Sequence, residues 1–98
     1  MLKGIDINQR IEFTYSKDIE EPKTVFVLRP LSGAEMLDFG GSTSEIIKMV
    51  ELSLVEVRNY PIQGTPAEII KSLDLGVLGE LIRKVNELCR LSEQDAKN

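Results

Sequence analysis

The hydrophobic pattern of this chain changes period once, at Pro30-Leu31-Ser32, and that change constrains the fold more than any other feature. Before it, odd positions carry Ile5, Ile7, Gln9, Ile11, Phe13 and Tyr15, while the even positions Asp6, Asn8, Arg10, Glu12 and Thr14 are polar. A period of two belongs to a strand with one wet face. Residues 24–31 form a second run, apolar at Val25, Phe26, Val27 and Leu28, which fits a strand covered on both faces. The charged stretch 17–23, with Pro22, turns the chain between them. The spacing predicts an antiparallel hairpin over 5–31, with a loop longer than the tight two-residue kind.

After Pro30 a different signal repeats. Ser32, Ser42 and Thr65 are each followed three residues later by a glutamate, Glu35, Glu45 and Glu68. This is the capping-box arrangement, in which the hydroxyl accepts from one free backbone N–H and the carboxylate returns to another. Three helix starts are predicted: a short helix stopped by Gly40-Gly41, a second over about 44–58, and a third with Pro66 at its first position. A fourth helix is expected from about 74–76 to about Leu91. The expected fold class is therefore α+β, an N-terminal antiparallel β-hairpin followed by a bundle of about four helices. One domain over 1–98 is expected, helical over 32–91 and ending in a flexible tail over 92–98. A chain of 98 residues builds only a modest core, so self-association is expected as well.

The second and fourth helices hold the apolar surface. At about 100° per residue, Ile46, Ile47, Val50, Leu54 and Val57 share one arc, and Met49, Leu52 and Val55 lie on the other side. Two apolar surfaces mean that the helix is sandwiched, either inside the domain or between this chain and a partner. In the fourth helix Leu75, Val77, Leu78, Leu81, Ile82, Val85, Leu88 and Cys89 occupy about half the wheel. The candidate partner-binding residues are Met49, Leu52, Val55, Leu81, Val85 and Leu88. Cys89, inside the apolar arc, reads as a small buried hydrophobe.

Composition removes several function classes. The chain has no histidine, which eliminates Ser-His and Cys-His nucleophile systems and the commonest metal ligand. No phosphate-binding glycine motif or acidic calcium loop is present, so no cofactor is expected. Glu20-Glu21 lies in a charged turn, where solvation rather than catalysis is expected. Twelve basic against 16 acidic residues, a net charge of −4, disfavours nucleic acid. No apolar run approaches the roughly 18 residues of a membrane span. With one cysteine and no signal-like start, a cytoplasmic location is expected. The chain is expected not to be an enzyme and to work by presenting surfaces.

Three segments carry a family resemblance: Phe26-Val27-Leu28-Arg29-Pro30-Leu31-Ser32-Gly33-Ala34-Glu35, a strand running through Arg-Pro-Leu into a capped helix; the apolar stretch 46–57; and residues 78–98, ending Leu91-Ser92-Glu93-Gln94-Asp95-Ala96-Lys97-Asn98. In order and spacing the chain resembles the tail assembly chaperones of long-tailed bacteriophages, in their short form. It departs from them over 59–64, which has no tryptophan where relatives often have an aromatic-rich turn. The resemblance implies a cytoplasmic protein of the host bacterium that binds the tape-measure protein and keeps it soluble until the tail tube polymerises. It also implies a longer, frameshifted form that recruits the tail-tube protein. Three other readings remain open: a structural or adaptor protein of the phage tail, a small regulatory protein-binding module, and a histidine-free enzyme whose activity a single acidic substitution would abolish.

Overall fold

The computed structural model describes residue 1 and residues 4–89. Strands β1 (Ile11–Phe13) and β2 (Val25–Leu28) are followed by helices α1 (Gly33–Leu37) and α2 (Thr43–Ser53), strand β3 (Leu54–Arg58), and helices α3 (Pro66–Ser72) and α4 (Leu75–Cys89). The class is α+β, with one three-stranded antiparallel sheet in the order β1-β2-β3. The expected end of α4 at Leu91 and the expected tail over 92–98 lie outside the described residues.

Two expectations about strands are corrected. β1 is three residues long rather than eleven, because Asp6 turns the chain: its Oδ1 accepts from Asn8 N–H (2.9 Å) and its carbonyl from Gln9 N–H (3.1 Å). Ile7 is exposed as a result. The larger correction is that the second half is not wholly helical. The helix expected over 44–58 ends at Ser53, and the chain passes without a break into β3, which pairs along β2. Instead of a two-stranded hairpin beside a bundle, β2 is the central strand of a sheet. Val55-Glu56-Val57-Arg58 also alternates with period two, and its valines suit a pleated surface better than a helix.

Opposed residues put Ile11, Leu28 and Leu54 in one row and Phe13, Phe26 and Val57 in the next, both on the face covered by helices. The rings of Phe13 and Phe26 are 6.3 Å apart. Phe26, Leu28, Leu31, Met49, Val50, Leu54, Ile69, Ile70, Leu81 and Val85 form the buried core. On the other face Glu12, Val27 and Glu56 share a row. The Arg58 guanidinium donates to Glu12 Oε2 (2.6 Å) and to Glu56 Oε1 (3.1 Å), reaching across β2 from one edge strand to the other. Under that span Val27 is only 4% exposed, so both faces of β2 are covered, one by helices and one by an ion-paired strap.

The helix starts lie where the hydroxyl–glutamate spacing placed them. Ser32 and Thr65 cap α1 and α3 with complete capping boxes. Ser42 caps α2, but Glu45 departs from the pattern: it accepts from Ser42 Oγ (2.7 Å) and from Gly40 N–H (2.7 Å). A Cβ on Gly40 would meet that carboxylate at 2.7 Å, so a larger residue there would push the Glu45 side chain off this bond. α4 is capped by Asp74, whose Oδ1 accepts from Val77 N–H at 3.0 Å.

Candidate partner-binding surface

Of the six residues expected to form a docking groove, the structure turns four inward. Met49, Leu81 and Val85 are core residues, and Leu88 packs against that core half-buried. Leu52 and Val55 face outward, 41% and 44% exposed. The six therefore do not line one groove. The physical reason is the switch at Ser53: Met49, Leu52 and Val55 would stack on one side of a continuous helix, but Val55 belongs to β3. It is the extra residue of a bulge, since Val27 pairs with Glu56 while Leu28 pairs with Leu54. Leu75, expected on the apolar face of α4, is 85% exposed in its first turn.

The two outward residues lie on neighbouring depressions that share Pro66. Leu52 lines a shallow apolar groove of about 390 Å³ with Phe39, Pro66 and Ala67, flanked by Lys48 and Glu51. Val55 lines a second, more polar one of about 320 Å³, between β3 and the turn leading to α3, with Glu56, Asn59, Ile62, Gln63 and Pro66. Ile62 is 44% exposed, so Leu52, Pro66, Val55 and Ile62 together make an accessible apolar strip at the junction of α2, β3 and α3. Phe39, Ile62 and Ala67 sit in segments where the sequence shows no periodicity. Only Pro66 had a local signal, and that signal concerned helix initiation.

Local chemistry holds this junction in place. The carboxylate of Glu45 stays below the usual range because it accepts from Ser42 and the Gly40 N–H, tying the α1–α2 loop to α2. Tyr60 Oη and Ser72 Oγ lie 2.7 Å apart, bracing the turn before α3 against its end. Asn59, with φ of 57°, ends β3 in the left-handed region that asparagine tolerates. Its carbonyl accepts from Thr24 Oγ1 at 2.8 Å. Cys89 is half-buried, and its Sγ accepts from Leu31 N–H at 3.2 Å, joining the end of α4 to the segment after β2.

Among the described residues, no group of three or more Cys, Asp or Glu side chains could hold a metal ion. Among the same residues, no helix is long and apolar enough to cross a membrane. The geometry is that of two shallow depressions with exposed aliphatic side chains at Leu52, Val55 and Ile62. No protein-family model, curated protein or solved structure matches this chain.

Proposed function

We propose that this chain is a tail assembly chaperone of a long-tailed bacteriophage, acting in the host cytoplasm without chemistry of its own. It binds the tape-measure protein through the strip at Leu52, Pro66, Val55 and Ile62 and keeps it soluble until the tail tube polymerises. The observation that carries this reading is the strip itself: three large aliphatic side chains at 41–44% exposure beside grooves, on a chain of net charge −4. Ile19, Leu37 and Leu75 are more exposed but line none of the described grooves, and apolar side chains grouped beside grooves, rather than scattered ones, mark interaction sites. Shallow grooves suit many modest, releasable contacts along a long helical client better than one tight one. The strand–Arg-Pro-Leu–capped helix segment supports the same reading through its resemblance to that family.

Co-expression tests it. An otherwise insoluble, helix-rich tape-measure protein is expected to stay in solution with the unmodified chain and to precipitate with Leu52→Asp, whose circular dichroism stays close to that of the parent and whose melting stays cooperative. If the unmodified chain binds no tape-measure protein, the reading fails. Persistence in purified virions would make the chain a structural tail adaptor instead. Recovery with a host protein alone would make it a regulatory module.

A further inference from the structure

We infer that the free edge of β3 pairs with the same edge of a second copy of this chain, antiparallel and centred on Val57. β3 is bonded to β2 on one side and, among the described residues, meets no strand on the other. Alternate main-chain N–H and C=O groups therefore face outward, a ready template for another strand. A two-fold interface must be complementary to itself. With Val57 opposite its counterpart, Glu56 of each copy faces Arg58 of the other, and the pair occurs twice.

Charge selects this register. Centring on Glu56 would set two carboxylates face to face, and centring on Arg58 two guanidiniums; of the registers that keep the helices of both copies on one side, the Val57 register alone pairs opposite charges. Opposed side chains of antiparallel strands lie about 5 Å apart, within ion-pairing reach. Glu56 and Arg58 are 47% and 49% exposed, so both are available to a second copy. The bulge at Val55 lies at one end of the paired stretch and the left-handed Asn59 at the other. In the single chain one guanidinium serves Glu12 and Glu56 together; in the pair each Glu56 gains a second one. The product is a continuous six-stranded sheet. Val55 of the tape-measure strip belongs to β3, whereas the Leu52 groove contains no β3 residue, so Leu52→Asp tests the tape-measure reading and the Glu56 and Arg58 variants test this pairing.

Sedimentation of the intact chain from micromolar to millimolar concentration is the test. The parent is expected to dimerise. Glu56→Arg and Arg58→Glu each place like charges opposite one another and should weaken the dimer about tenfold or more. An equimolar mixture of the two variants restores complementarity and should dimerise again. The double variant Glu56→Arg with Arg58→Glu places an arginine in the row of Glu12, beyond Val27, and guards against loss of fold, and it should dimerise like the parent. A parent that stays monomeric, a Glu56→Arg variant that associates as the parent does, or a double variant that remains monomeric while folded would each overturn the pairing. So would a β3 edge that takes up an added extended peptide while the chain stays monomeric.

Discussion

Arg29 and Ser53 hold one another by two hydrogen bonds: the Arg29 N–H donates to the Ser53 carbonyl at 2.9 Å, and the Ser53 hydroxyl donates to the Arg29 carbonyl at 2.6 Å. Ser53 is fully buried and is the last residue of α2, while Arg29 follows the last residue of β2. The exchange thus clamps the end of a helix to the end of the central strand at the point where α2 becomes β3. From the same Arg29, the guanidinium makes two bonds to Glu35 (3.0 and 2.8 Å), the glutamate that completes the cap of α1. One residue therefore ties together a strand and two helices.

Ser53→Ala removes the hydroxyl and leaves a shielded carbonyl on Arg29 without that donor. The expected cost is about 1–3 kcal/mol, the range for an unsatisfied buried polar group. Urea melts should show it as a lower midpoint with unchanged slope. Ser44→Ala, on the exposed side of α2, should stay within about 0.5 kcal/mol of the parent.

Acid should loosen the same region with a definite sign. Arg29, followed by the Ser32 N–H, lowers the Glu35 carboxyl from 4.5 to about 2 in the folded chain. A depressed folded value means that the ionised form favours folding: its contribution is complete above the unfolded value and fades as pH falls from 4.5 toward 2. Glu35→Gln should therefore melt below the parent at neutral pH, by about 1 kcal/mol of stability for a partly exposed ion pair and cap. The two melting curves should converge as pH approaches 2. A difference that grows on acidification would contradict this assignment.

Met49 and Leu52 stand one helical turn apart, 4% and 41% exposed. Met49→Asp would bury an unpaired charge at a cost comparable to the total stability of a small domain, about 5 kcal/mol, and should abolish cooperative melting. Leu52→Asp, partly covered and near the end of α2, should cost only about 1 kcal/mol and keep a cooperative melt. Circular dichroism melts of the two variants side by side would distinguish core from surface directly.

Two glycines of α4 make a matched pair. A Cβ at Gly79 meets nothing within 4 Å, so Gly79→Ala should gain the helix-propensity difference of about 1 kcal/mol. For a domain of this size that raises Tm by about 4–8 °C. At Gly76 the added Cβ would lie 2.7 Å from Tyr15 Oη. Gly76→Ala should therefore stabilise less than Gly79→Ala, and an equal rise in Tm would show that Tyr15 moves aside freely.

How much of this was readable from the residues follows from the range of the forces involved. Ser32, Ser42 and Thr65 announce their helices because a cap closes within three or four residues, wherever the rest of the chain lies. Val25 to Leu28 reads as a strand for a similar reason, since an unbroken β-branched and aromatic run needs cover on both faces. The end of α2 had no such marker. No glycine or proline lies between Thr43 and Arg58, and Leu54 and Val57, three residues apart, suit a helical arc; in β3 they share a face only through the bulge at Val55.

That ambiguity is resolved only by long-range contacts: the open side of β2, the clamp between Arg29 and Ser53, and the span of Arg58 to Glu12 across the sheet. The candidate site depended on the same contacts. Local periodicity could group Met49 with Leu52 and Val55, but which of them faces water is set by where the sheet and α4 pack against α2. A side chain's burial is a property of its neighbours in space, and periodicity along the chain records only those a few residues away.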